Sequence, residues 1–357
     1  MTASTDSVIE CQSLWKIFGD QAKEAMEAIC EDNLDKDEVR ERFGCVIGVK
    51  DVSFSVAEGE IFCIMGLSGS GKSTLIRHVN RLIEPTAGKV LIEGIDINGL
   101  NAAALRELRA SRIGMVFQNM ALMPHRTVRD NVAFALEVRG ADRAGRRAVA
   151  DRAINDVELG GWEDRYPDEL SGGMQQRVGL ARAIAADPHI LLMDEPFSAL
   201  DPLIRRQLQT QFMRLAAELR KTTLFITHDL DEAIRIGDRI AVMKDGVLIQ
   251  TGTPEQIVTE PADDYVAEFV SGISKLHLVT AARIMEPLAK WEAKNGPYRA
   301  DGALSAAPDA TLDRLAELSI ETDEPLAIKA DGRVLGIVTK KALIRGIQGR
   351  SVEEAEV

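Results

Sequence analysis

One segment of this 357-residue chain constrains its fold more than any other. Glu60-Ile61-Phe62-Cys63-Ile64-Met65 is a near-continuous apolar run, the pattern of a strand buried on both faces. It leads directly into Gly66-Leu67-Ser68-Gly69-Ser70-Gly71-Lys72-Ser73, after which Thr74-Leu75-Ile76-Arg77-His78-Val79 can continue as a helix. A strand, a glycine-rich turn and a helix in that order belong to α/β architecture, with ligands bound beyond the C-terminal ends of parallel strands. The buried-strand pattern recurs at Ile190-Leu191-Leu192-Met193 and at Thr223-Leu224-Phe225-Ile226. Between them Ile204, Leu208, Phe212, Leu215 and Leu219 form a stripe at helical spacing, read as core packing.

The turn matches G-x-x-x-x-G-K-[ST], the spacing of a phosphate cradle. Its glycines let successive backbone N–H groups point inward at phosphate oxygens, and the helix N-terminus adds partial positive charge. Lys72 then meets the terminal phosphates, and the Ser73 hydroxyl suits a magnesium ion. Such a site needs carboxylates. The strand ending in Met193 delivers Asp194 for the magnesium and Glu195 as a general base toward water. His228 follows the next apolar strand; taken alone, a histidine there is more often a satisfied hydrogen-bonding group than a catalytic one.

Forty-three Lys and Arg against fifty-six Asp and Glu give a net charge of -13. That balance disfavours wrapping nucleic acid, while leaving room for a local basic groove. No apolar run reaches the ~18 residues of a membrane span. The opening MTASTDSVIE lacks the basic head and apolar stretch of a secretory signal. Cys11, Cys30, Cys45 and Cys63 are widely spaced, with no CxxC pair, and read as reduced thiols. Residues 20–44 are charged, but Ala22, Ala25, Met26, Ile29 and Leu34 fall near helical spacing, which predicts a surface helix or helical pair. Residues 275–357 form a smaller unit: a helix over Thr311–Leu318, a hairpin from Leu326–Lys329 to Val334–Val338 around Asp331-Gly332, and a final helix over Lys340–Ile347. The tail Glu353-Glu354-Ala355-Glu356 reads as a solvated end.

Several motifs in order resemble those of ATP-binding cassette (ABC) ATPases. Leu170-Ser171-Gly172-Gly173-Met174-Gln175-Gln176-Arg177 is similar to the family signature. Gln118 resembles the Q-loop glutamine, Ser198-Ala199-Leu200-Asp201 the D-loop, and His228 the switch histidine, which moves it to a catalytic role. The likeness spans about residues 8–270. Ala121-Leu122-Met123-Pro124-His125, the extended run Met193–Arg205, the insert at 20–44 and Met174 resemble the glycine betaine/proline-type importers more closely still.

The resemblance implies a P-loop ABC-type ATPase domain over 1–272, with a helical insert at about 20–44 and a helical signature subdomain at about 105–185. A small α+β unit over 273–357 resembles one cystathionine-β-synthase-type (CBS) repeat and implies regulation. ATP and Mg2+ are the implied ligands. The nucleotide would be held by Phe18, Gly66, Leu67, Ser68, Gly69, Ser70, Gly71, Lys72, Ser73 and Thr74, and the metal by Ser73, Gln118 and Asp194. Phe18 rather than Trp15 is the expected adenine-stacking aromatic, because it directly precedes Gly19; stacking discriminates little among purines. Glu195, His228 and Gln118 would be catalytic. Ser171, Gly172, Gly173 and Met174 would meet the nucleotide of a second copy, with Asp201 beside them, so a homodimer would sandwich two ATP molecules. Further implied partners are an integral-membrane permease, docking near Ala121–His125, and a substrate-binding protein; nucleic acid is not one. The implied place is peripheral, on the cytoplasmic face of the inner membrane. The leading reading is an importer ATPase for quaternary ammonium osmolytes. Alternatives are an importer ATPase for another solute, such as an amino acid, and a soluble non-transport ABC ATPase.

Overall fold

The computed structural model describes residues 7–118, 121–198, 200–298 and 304–348, and by its internal contacts the chain divides into two compact units, Met1–Thr253 and Pro254–Val357. The expected boundary after 272 falls inside the second unit. Among the ties across that expected boundary, the Glu255 carboxylate accepts from the backbone N–H and hydroxyl of Thr280 at 3.0 and 3.1 Å, and Arg283 pairs with Glu260. The helices Pro254–Thr259 and Asp264–Val270 therefore belong with the C-terminal residues.

The first unit is built on two sheets. Strands β1 (Ser7–Phe18), β2 (Val46–Ala57), β4 (Ala87–Ile92) and β5 (Ile95–Asp96) form an antiparallel sheet in the order β2-β1-β4-β5. Strands β3 (Ile61–Met65), β6 (Ile113–Val116), β7 (Ile190–Asp194), β8 (Thr222–Thr227), β9 (Arg239–Lys244) and β10 (Val247–Gly252) form the second, in the order β10-β9-β3-β8-β7-β6. All of its pairings are parallel except β9–β10. Strands β7 and β8 are buried at every position, which is why their centres read as near-continuous apolar runs. Side chains from both sheets and from the helix Lys72–Val79 share one core, including Leu14, Val52, Ile64, Leu75, Ile76 and Leu192. Within it Phe54 of β2 stacks on Phe62 of β3, centroids 5.3 Å apart.

Residues 20–44 form a helical pair, Ala22–Asp32 and Lys36–Phe43. Ala25, Ile29, Leu34 and Val39 pack on Ile17 and Ile47, so the pair is docked on β1 and β2 by its own small core. The stripe after β7 forms the helix Pro202–Glu218, with Leu208, Phe212 and Leu215 buried. Leu219 departs from the expected stripe. The helix ends before it, the chain turns through Arg220 at φ 47°, and Leu219 is left 44% exposed. The expected helical subdomain also starts later than 105. The helix Ala102–Arg112 leads straight into β6, and β6 pairs with β7 inside the sheet. The helices beyond it are Val128–Val132, Phe134–Val138, Arg143–Asp156 and Gly172–Ala185.

The second unit carries β11 (Glu286–Pro287), β12 (Ser305–Ala306), β13 (Leu326–Ala330) and β14 (Arg333–Val338), in the order β11-β14-β13-β12. The hairpin turn is as read from sequence. Asp331 and Gly332 both take positive φ, 49° and 75°, as a two-residue turn between twisted strands requires. Helices Leu312–Glu321 and Lys340–Gln348 close a core of Leu312, Leu315, Ile328, Val338 and Leu343. The acidic tail at 353–356 lies outside the described residues, as does Ala199 of the D-loop stretch.

Candidate functional site

The loop between β3 and its helix is shaped by close packing. A Cβ on Gly66 would sit 2.1 Å from the Met243 carbonyl oxygen, and one on Gly71 would sit 2.3 Å from that of Gly48. Both positions also take φ that side-chain-bearing residues rarely adopt, 158° and 103°. Glycine there is thus a geometric requirement of the cradle. Lys72 folds back over the loop. Its Nζ donates to the carbonyl oxygens of Gly66 and Leu67 at 2.7 and 2.9 Å and to Ser70 Oγ at 3.4 Å. Burial pushes its ammonium below the ordinary lysine range, while Glu195 and Asp194 pull the other way.

At the ends of β7 and β8 the other expected residues meet. Ser73 Oγ donates to Asp194 Oδ1 at 2.8 Å, and Arg77 lies 3.7 Å from the other carboxylate oxygen. Asp194 is 1% exposed, and burial raises its carboxyl above the usual range against the pull of Ser73 and Arg77. Glu195 holds a left-handed backbone, φ 47°, with its N–H bonded to the Ile226 carbonyl at 3.0 Å. Its Oε2 is a shared acceptor: Gln118 Nε2 donates to it at 3.3 Å, and His228 Nδ1 lies 2.9 Å away. One oxygen thus gathers three residues that arrive from three separate segments.

A cavity of about 610 Å³ is lined by Phe18, Leu67, Ser68, Gly69, Gly71, Lys72, Ser73, Thr74, Gln118, Glu195 and His228, with Lys36, Val46, Ile47 and Gly48. The expected residues Gly66, Ser70 and Asp194 are not among its lining, and Asp194 reaches it through its bond to Ser73. Phe18 is 41% exposed and forms part of this wall, whereas Trp15 packs against the helical pair. Four lining residues were not identified from sequence. For Gly48 a signal existed, a glycine between Ile47 and Val49 in a strand, which marks close approach. A Cβ there would stand 2.7 Å from Phe18 Cε2, so the ring's place depends on that glycine. Lys36 gave no signal, because it lies in a charged surface segment.

Ser171, Gly172, Gly173, Met174 and Asp201 do not join this cavity. They line a separate one of about 550 Å³ with Trp162, Arg177 and Ile204. Ser171 and Asp201 cap the helices Gly172–Ala185 and Pro202–Glu218, accepting from Met174 N at 3.4 Å and Ile204 N at 3.1 Å. The loop before Val128 is held by Asn131, which is fully buried. Its amide donates to the carbonyls of Met123, Arg126 and Thr127 and accepts from Met123 N, at 2.8 to 3.1 Å.

The donor set suits the implied metal. A hydroxyl, a carboxylate and an amide oxygen are hard ligands of the kind magnesium takes alongside phosphate oxygens. Among the described residues no group of three or more His, Cys, Asp and Glu could hold a metal by itself, and no helix is long and apolar enough to cross a membrane.

The chain is similar to several known proteins. Residues 49–198 match the family model described as ABC transporter. Over 276 residues the chain is 53% identical to the glycine betaine/proline betaine transport system ATP-binding protein ProV of Escherichia coli, covering 77% of this chain and 69% of that one. It is 47% identical to the trimethylamine N-oxide transport system ATP-binding protein TmoW of Ruegeria pomeroyi, covering 94% and 96%. Among solved structures, the dimeric bacterial ABC transporter cassette MJ0796 superposes with a TM-score of 0.59 at 32% identity, over 69% of this chain and 98% of that one. The same cassette is also known as a dimer in a post-hydrolysis state bound to ADP and Pi, with the same score, identity and coverage.

Proposed function

The chain belongs to the ATP-binding proteins of the ABC transporter family, and from that premise we propose that it is the ATP-hydrolysing subunit of an importer for glycine betaine-type quaternary ammonium osmolytes. The observation that carries the reading is the meeting of the Lys72 loop, Ser73 with Asp194 bonded to it, and the Glu195 oxygen shared with His228 at one cavity that Lys72, Ser73, Glu195 and His228 line. The solute class rests on the named activities of the similar proteins.

The residues divide the work of hydrolysis. Loop amides and Lys72 bind the phosphates, and Phe18 receives the purine. Lys72 exchanges its bonds to the Gly66 and Leu67 carbonyls for phosphate oxygens. Ser73, Gln118 and Asp194 would hold Mg2+, which spreads the charge of the transferring phosphoryl group. Glu195 takes a proton from water as the water oxygen bonds to the γ-phosphorus and the bond to ADP breaks. His228 and Gln118 hold the Glu195 carboxylate in place through its Oε2.

The second cavity supports a homodimer. Ser171, Gly172 and Gly173 gather apart from the Lys72 loop of their own copy, a separation that supports their serving a nucleotide held by another. The permease would dock on the Ala121–His125 loop that Asn131 stiffens. The second unit is read as a regulatory CBS-type repeat. Its strand–helix–strand–strand–helix order from β12 onward, with its own core, supports that reading.

Reconstitution with the neighbouring membrane subunit and solute-binding protein in lipid vesicles tests the assignment. Glycine betaine is expected to stimulate ATP hydrolysis and uptake; stimulation by an amino acid instead would move the solute class. In the same vesicles, a chain ending at Thr253 is expected to keep its basal hydrolysis and lose most of its response to salt. An unchanged salt profile would leave residues 254–357 a structural role.

A further inference from the structure

Lys36 stands apart from every motif, yet it lines the same cavity as Phe18 and the Lys72 loop. It is the first residue of its helix, and that start is well defined. Asp35 Oδ1 accepts from Asp37 N and Glu38 N, both at 2.9 Å, and Glu38 Oε2 accepts from Asp35 N at 2.8 Å. Behind it Val39, Ile29 and Leu34 seat the helical pair on Ile17 and Ile47, in the strands that carry Phe18 and Gly48. The backbone of Lys36 is therefore held against the cavity while its side chain is not. The ammonium pairs with Asp245 Oδ1 at 2.9 Å, with the two side chains 46% and 64% exposed. An exposed pair of that kind contributes little and is exchanged at little cost.

Resting on the reading of this cavity as the ATP site, we propose that Lys36 is a nucleotide-binding residue. Its ammonium leaves Asp245 and donates to an acceptor at the nucleoside end of bound ATP. The phosphate end is already served by the loop amides and Lys72. Apart from the phosphate loop, Gln118, Glu195 and His228, the lining is Phe18, Val46, Ile47, Gly48 and Lys36, and Lys36 is the cation among these five. Lys16 Nζ lies 5.1 Å from the Phe18 ring centroid but bonds to the Glu84 carbonyl and does not line the cavity. An ammonium only donates, so its partner is a ribose hydroxyl oxygen or a purine ring nitrogen, and not the adenine amino group. The helical pair thereby becomes part of the nucleotide site rather than an appendage to it.

The test is a binding cycle read by equilibrium titration of ATP and of inorganic triphosphate, without turnover. Lys36→Met keeps a good helix former at an exposed position. Asp245→Asn keeps a residue that tolerates the left-handed backbone there, φ 49°, in the two-residue turn between β9 and β10. Lys36→Met is expected to weaken ATP about three- to tenfold, the range of one partly exposed charge-assisted hydrogen bond. Its affinity for triphosphate should not change. Asp245→Asn is expected to tighten ATP in the parent chain, and to do so by a smaller factor when Lys36 is already methionine. Equal ATP affinity for parent and Lys36→Met would overturn the proposal, as would an equal loss for ATP and triphosphate, which would make Lys36 a source of charge alone. Failure of the unmodified chain to bind ATP would instead remove the ATP-site reading beneath it.

Discussion

Replacement of Glu195 by glutamine is expected to leave ATP affinity within about twofold and to lower turnover by roughly 10²- to 10⁴-fold, the usual worth of a positioned general base. Glutamine keeps the side-chain shape and can still meet Gln118 and His228, which now share one carboxylate oxygen. What it lacks is a basic oxygen for the proton of the attacking water. ATP should then accumulate unhydrolysed, and the closed dimer with it, visible as an ATP-dependent doubling of mass in solution. A glycine variant separates chemistry from folding. The left-handed backbone at Glu195, φ 47°, costs a side-chain-bearing residue roughly 1 to 2 kcal/mol. Glu195→Gly should therefore melt no lower than the parent chain while hydrolysing as little ATP as the glutamine variant. Native turnover in Glu195→Gln would end the general-base assignment.

Replacement of Lys72 by alanine should act on binding instead. The residue is nearly buried, 4% exposed, and its ammonium would exchange two backbone carbonyls for phosphate oxygens. A charge-assisted bond in such a place contributes about 1.5 to 3 kcal/mol, so the affinity for ATP should fall roughly ten- to a hundredfold. Adenosine, which has no phosphate, should bind the variant as it binds the parent. The contrast separates this residue from Lys36, whose removal should weaken ATP and spare triphosphate. Undiminished ATP affinity in Lys72→Ala would take the lysine out of the cradle.

Much of the site was legible before any coordinates, for a local reason. The cradle is eight consecutive residues between a strand and a helix, and both flanks declare themselves by their apolar pattern. Its glycines were readable as a motif, but the physical demand on them came from distant atoms, the carbonyls of Met243 and Gly48. The buried strands β7 and β8 were readable because burial on both faces leaves a near-continuous apolar run in each, Ile190–Met193 and Leu224–Ile226. Leu219 and β6 were misplaced for the converse reason. A helix stripe does not announce where the chain turns away, and four residues, Ile113–Val116, carry too little pattern to be separated from the helix before them.

Local order along the chain therefore determined the phosphate loop, the carboxylates Asp194 and Glu195 at a strand end, and the α/β class, since each is a property of neighbouring residues. Tertiary structure alone decided which of those groups share a cavity. Gln118, Glu195 and His228 converge on one oxygen only because β6, β7 and β8 lie in adjacent parallel register. Ser171 and its neighbours stay apart in a cavity of their own. Lys36 and Asp245, 209 positions apart, meet, and Lys36 shares a cavity with Phe18, because the core of the helical pair docks it on β1 and β2. No periodicity encodes a meeting of that kind. It is set by the packing of buried side chains elsewhere, and the polar residues it brings together have no pattern of their own.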